Sequence, residues 1–146
     1  MFIGQYQHSL DEKGRLTIPA RFRELLNKGA YITQGFDKNL MVMTPEAFEQ
    51  VLEKITSISL TDPNGRLLRR LILSNAYQVD VDKAGRILIP PGSRNFLGLE
   101  GEAMVVGQGE YFEIWLPAEW NQQVQNLQDT EANAHRFSAF NLAADN

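Results

Sequence analysis

The chain has 146 residues, 43% of them hydrophobic, a formal net charge of −4, and no cysteine. That length and apolar content suit one compact unit or two small halves and exclude a wholly disordered chain. Disulfides and thiolate zinc sites are excluded, two histidines (His8 and His135) leave little for a metal cluster, and no window approaches the roughly 18 apolar residues of a membrane-spanning helix.

The opening segment MFIGQYQHSLDEKGR has neither the basic region nor the apolar run of a secretory leader, which points to the cytoplasm. Tyr6, His8 and Leu10 alternate with Gln7 and Ser9, and Leu16 and Ile18 alternate with Arg15 and Thr17. Period-two patterning on both sides of Asp11-Glu12-Lys13-Gly14 predicts a β-hairpin. Asp11 can accept from the backbone two residues on, and Gly14 can take the positive φ of a type I turn with a glycine bulge. Pro19 then opens a short helix with Phe22, Leu25 and Leu26 on one face, stopped by Asn27-Lys28-Gly29. Strands are expected over 31–35 and 40–43. Thr44 as N-cap and Pro45 at N1 start a helix whose apolar stripe is Phe48, Val51, Leu52 and Ile55.

Asp62-Pro63 can begin a linking helix that carries Arg66, Arg69 and Arg70 beside Leu67, Leu68, Leu71 and Ile72. Val79 and Val81, then Asp82-Lys83-Ala84-Gly85, then Ile87 and Ile89 repeat the hairpin pattern. Pro90-Pro91-Gly92 is a weaker helix start before Phe96 and Leu97. Strands at 103–107 and 111–115 lead to a helix at Leu116-Pro117, and 130–142 reads as a tail helix with Ala134, Phe137 and Leu142 on its inner face.

The chain is an internal repeat. DEKGRLTIP (Asp11–Pro19) lies over DKAGRILIP (Asp82–Pro90) at an offset of 71, and Arg23 and Leu26 fall on Arg94 and Leu97. One inserted residue then puts Gly29 on Gly101, Gly35 on Gly107, Pro45 on Pro117 and Phe48 on Trp120. Two copies make two homologous modules in a pseudo-twofold pair, each covering what the other would leave exposed.

Charge follows the same division. In residues 1–28 five cations (Lys13, Arg15, Arg21, Arg23, Lys28) stand against three acids, and in 66–98 six cations stand against Asp80 and Asp82. From Leu99 onward one cation, Arg136, faces eight acids, so the net acidity belongs to the C-terminal segment. Strand alternation turns Arg15 and Arg86 away from the core beside a tight turn. A β-hairpin is narrow enough for a DNA major groove, and arginine can pair bidentately with guanine. Asp11 and Asp82, four residues earlier, could hold each guanidinium. A purely structural ion pair at the turn is the alternative reading of the same motif.

The opening MFIGQYQHSLDEKGRLTIPARFRE, the second QVDVDKAGRILIP, their spacing and the total length resemble the bacterial MraZ proteins, of the SpoVT/AbrB-type swapped-hairpin superfamily, from Met1 to about Leu127. The resemblance implies an α+β fold of two tandem AbrB-like swapped-hairpin β-barrel modules related by pseudo-twofold symmetry, with short flanking helices. The units expected are a first module at 5–52, a linker helix at 53–76, a second module at 77–122 and a C-terminal tail at 123–146. It further implies a ring-shaped homo-oligomer, nucleoid-associated, that binds double-stranded DNA at promoter direct repeats of its own operon of division and cell wall genes and represses it. No cofactor, membrane or small-molecule substrate is implied.

The family's motif falls here on Asp11, Lys13, Gly14 and Arg15, and on Asp82, Lys83, Gly85 and Arg86. Arg15 is the first choice for base contact and Arg86 the next, while Lys13, Lys83, Arg21 and Arg23 are candidates for phosphates. The copies differ, since Ala84 stands where the first has Lys13.

Three other readings compete. Asp80, Asp82 and His8 could form an acid–base site, although there is no P-loop, H-E-x-x-H or G-x-S-x-G. A protein-binding scaffold would use Phe112, Trp115 and Trp120. An antitoxin-type AbrB-like DNA binder would carry one module and a disordered tail, which two modules fit poorly.

Overall fold

Proline, glycine and aspartate cut the apolar runs every few residues, so the chain alternates short strands with short helices. A computed structural model describes residues 1–143. In chain order the elements are β1 (Gln5–Ser9), β2 (Arg15–Thr17), α1 (Ala20–Leu25), β3 (Ala30–Gln34), β4 (Leu40–Met43), α2 (Pro45–Thr56), α3 (Pro63–Ile72), β5 (Tyr77–Val79), β6 (Arg86–Leu88), α4 (Pro91–Leu97), β7 (Glu102–Gly107), β8 (Tyr111–Trp115), α5 (Pro117–Leu127) and α6 (Thr130–Arg136).

Helix starts follow local chemistry. Thr44 Oγ1 accepts from the Ala47 N–H (3.2 Å) and the Asp62 carboxylate from the Asn64 N–H (2.9 Å), each just before a proline at N1. α4 forms in spite of its weak sequence signal, because Pro91 presets the first turn and Gly98, at φ 71°, closes the last. Among the described residues no helix is long and apolar enough to cross a membrane.

Six strands form one antiparallel sheet in the order β1-β7-β8-β4-β3-β5, and β2 and β6 form a separate two-stranded ribbon. Exchanging each strand for its counterpart in the other copy turns that sheet order into its own reverse. Register repeats as well: Leu40 pairs Ile114 and Val42 pairs Phe112, while Leu16 pairs Ile87.

Two expectations change here. The first is the local hairpin: β1 pairs β7 and β2 pairs β6, leaving only an isolated Leu10–Leu16 bridge between the arms of the first turn. Both arms bury their apolar faces, but against the other copy. The second is the alignment of β3 with β7. Ala30 pairs Val79, and Ala103 pairs His8, the counterpart of Val79. Ala103 therefore takes the place of Ala30, one residue beyond what the Gly29–Gly101 match implies.

The ribbon and the inner face of the sheet enclose the main core. Leu16, Ile18, Ile87 and Ile89 meet Ile32, Leu40, Val42, Val105, Phe112 and Ile114, with Phe22, Leu26 and Leu97 from α1 and α4 closing the sides. Phe112 sits with its ring centroid 5.2 Å from those of both Phe2 and Phe22. On the outer sheet face α2 and α3, through Phe48, Ile55 and Ile72, cover Met41 and Met43, and Phe48 stacks on Tyr31 at 4.2 Å. In the other half Trp120 packs on Trp115 beside Met104 and Val106.

Leu25 departs from its expected place: Phe22 and Leu26 are buried, whereas Leu25 and its counterpart Phe96 face solvent. α6 forms behind an Asp129 cap, but Ala134, Phe137 and Leu142 are all exposed, so it has no inner face. Residues 144–146 of the tail lie outside the described residues.

Candidate nucleic-acid interface

Each turn is organised by one aspartate. Asp11 Oδ1 accepts from the backbone N–H groups of Lys13 (3.0 Å) and Arg15 (2.8 Å), and Oδ2 accepts from Arg15 Nε (2.6 Å). Asp82 repeats this with Ala84 N–H and Arg86 N–H (both 2.9 Å) and Arg86 Nε (3.1 Å). The Gly14 N–H closes the first turn on the Asp11 carbonyl and the Gly85 N–H closes the second on Asp82, both at 3.0 Å, with φ of 88° and 79° at the glycines. This is the type I turn with a glycine bulge that the spacing predicts.

The ribbon places the two arginines on one face. Leu16 and Ile87 point inward and are fully buried, so Arg15, Thr17, Arg86 and Leu88 point outward, in the cross-strand pairs Arg15–Leu88 and Thr17–Arg86. Arg15 and Arg86 lie diagonal to each other, a separation of about 7–8 Å. The side chains remain 36% and 28% exposed. Because the aspartate occupies Nε, the terminal nitrogens at the tip of Arg15 remain for a second, bidentate partner. The copies are unequal here too: Arg86 Nη1 also reaches Asp11 Oδ2 at 3.5 Å, so Asp11 serves both arginines and Asp82 only one.

The other candidates divide into two groups. Lys13, Lys83 and Arg21 are exposed and enter no ion pair among the described residues. Arg23 is half-buried, and its Nε donates to the Ile18 carbonyl at 2.7 Å. Its guanidinium lies against Gly85 in the other copy's turn; Arg94, which sequence reasoning left out of the site, lies against Gly14 and donates to the Ile89 carbonyl at 3.1 Å. The matched arginines of the repeat were the available signal, but their target is visible only once the two copies are folded together.

A Cβ on Gly14 would stand 2.4 Å from Arg94 Nε, and one on Gly85 2.4 Å from Arg23 Cζ, both at positive φ. Gly14→Ala and Gly85→Ala are therefore expected to cost about 1–3 kcal/mol each. Gly92→Ala, where a Cβ meets nothing within 4 Å, is expected to cost little. Urea denaturation of the three variants checks this.

The backbone N–H of Arg15 holds the Asp11 carboxyl below its ordinary 3.8, and that of Arg86 does the same for Asp82, with smaller help from the guanidinium of each arginine. A depressed folded value means the contribution is complete above the unfolded value and disappears as pH falls through the folded one. Both turns should hold to below pH 3.8 and loosen only in stronger acid. A carboxyl NMR titration should show both midpoints below 3.8, and Arg15→Ala should keep most of the shift at Asp11, because the main donor is a backbone amide.

Asp82 is committed to its turn, while His8 lies on β1, paired to Ala103 and stacked near Tyr6. Phe112 and Trp115 are buried, which removes them as a partner-binding surface, whereas Trp120 is half-buried and donates from Nε1 to Gln5 Oε1 at 2.8 Å.

Comparison with known proteins gives two successive matches, over residues 1–71 and 72–141, to the family model described as "MraZ protein, putative antitoxin-like". The chain is 43% identical to a protein of Thermomicrobium roseum over 127 residues, covering 87% of this chain and 89% of that protein. It is 43% identical over 138 residues to one of Roseiflexus sp. (strain RS-1), covering 94% of each. A protein of Herpetosiphon aurantiacus is 38% identical over 143 residues, covering 97% of this chain and all of that protein. All three are named Transcriptional regulator MraZ.

Proposed function

The chain belongs to the MraZ family, and from that premise we propose that it is a transcriptional regulator, not an enzyme, that reads double-stranded DNA through the β2–β6 ribbon. The observation that carries this reading is the pair of outward arginines, each held by its own turn aspartate, on a two-stranded ribbon of the width a major groove admits. Arg15 and Arg86 read base edges, and Lys13, Lys83 and Arg21 contact the backbone. Arg23, with Arg94, keeps the opposite turn in place, a positioning role more than a phosphate contact.

The ribbon and palindromic strand order support an AbrB-like swapped-hairpin barrel built from modules at about 5–52 and 77–122, joined by the α3 linker. A net charge of −4 makes one ribbon a weak binder, and a ring of identical subunits answers that by presenting several ribbons to direct repeats of its own promoter, which it represses. The protein then acts in the cytoplasm, at the nucleoid.

The test is binding to a duplex from upstream of the chain's own gene and to a scrambled duplex, with sedimentation velocity of the free protein. The proposal expects selective binding that weakens as salt rises, and a species larger than a monomer. Equal affinity for both duplexes sinks the sequence-reading claim, and a monomer at every concentration sinks the ring.

A further inference from the structure

The outward face of the ribbon is not symmetric. When the two copies are exchanged Arg15 answers to Arg86, but Thr17 answers to Leu88. Register is locked by the buried Leu16–Ile87 pair, since a slip of one residue would turn that pair to solvent. Leu88 must therefore point out, and it is 52% exposed, directly across from Arg15. The sheet-edge strand β1 carries Gln5, Gln7 and Ser9 at its exposed positions, and the counterpart of Leu88 itself is a threonine. An aliphatic side chain beside Arg15 and Arg86 on the same face fits poorly against an apolar protein surface, which would have to bury those cations. It does fit a ligand that surrounds a small apolar group with negative charge.

Resting on the DNA-reading proposal above, we infer that Leu88 is a specificity-determining residue that packs on the 5-methyl group of a thymine in the major groove. Direct cross-strand neighbours stand about 4.5–5.5 Å apart, and base pairs rise by about 3.4 Å. That thymine lies within two base pairs of the one Arg15 reads. Thymine alone presents a methyl group at that edge, and small apolar contacts are how proteins recognise it. Thr17, beside Arg86, has both a hydroxyl and a methyl and discriminates less. The site preferred by one ribbon is consequently non-palindromic, with the thymine requirement on the Arg15 side.

The experiment selects binding sites from a randomised duplex library with the wild-type protein, then replaces each thymine of the consensus by uracil, one at a time. Loss of one buried methyl group corresponds to about a fourfold drop in affinity, expected at one position beside the Arg15-contacted guanine. Leu88→Ser should bind the thymine and uracil duplexes equally, with unchanged thermal unfolding, and Thr17→Leu should acquire a second, stronger uracil-sensitive position on the other side. If wild type selects a consensus but shows no uracil penalty, or Leu88→Ser retains the penalty, the Leu88 assignment is wrong while DNA reading stands. If no consensus emerges at all, DNA reading itself fails and this inference falls with it.

Discussion

Phe112→Ala is expected to lose about 3–5 kcal/mol of folding stability, the range for truncating a fully buried phenylalanine. Phe112 is inaccessible to solvent, lies on β8 opposite Val42, and packs against the rings of both Phe2 and Phe22 from the other copy. The same core holds Leu16 and Ile87, the inward residues of the ribbon, so the loss is felt by both halves at once. Against a typical total of about 5–15 kcal/mol, it moves the single cooperative urea transition far down or abolishes it. Phe137→Ala, at an aromatic that is 45% exposed on α6, should change stability by no more than about 0.5 kcal/mol. A Phe112→Ala variant that unfolds within 1 kcal/mol of wild type, or in two separated transitions, would contradict a core shared between the copies.

Asp11→Ala is expected to cost more discrimination between matched and scrambled duplexes than Asp82→Ala. Asp11 takes Arg15 Nε at 2.6 Å and Arg86 Nη1 at 3.5 Å, whereas Asp82 takes only Arg86 Nε at 3.1 Å. Removing Asp11 leaves Arg15 with no carboxylate partner and takes from Arg86 the second of its two, Asp82 remaining, and each lost bidentate base contact is worth about 1–3 kcal/mol. Asp82→Ala loosens one arginine that keeps its second carboxylate. Fluorescence anisotropy of both variants on both duplexes measures the order, and an Asp82→Ala effect equal to or larger than that of Asp11→Ala would contradict the asymmetric site.

Much of the site was legible because it is local. The Asp–Arg spacing, the turn glycine and the alternation around them all lie within a few residues, and the repeat gave the same reading twice. Strand partners were not legible: period-two alternation says which side of Tyr6–Leu10 is buried, but any strand with a matching apolar face could lie beside it. The partner proved to be β7, and the ribbon drew one strand from each copy. The same limit hid Arg94, whose packing target Gly14 is remote in sequence, and the Arg86–Asp11 contact. Apolar residues also misled where nothing covers them, as at Leu25 and Phe137, because a hydrophobic stripe marks a buried face only if another element reaches it.

The most direct test of the central claim is the Arg15→Ala/Arg86→Ala double variant, compared with wild type for binding to the upstream duplex and its scrambled form across a range of salt, with its unfolding curve recorded alongside. Expected are an unfolding curve close to wild type, residual salt-sensitive binding through the lysines, and equal affinity for the two duplexes. A folded double variant that still prefers the upstream duplex as strongly as wild type would show that the ribbon does not read DNA.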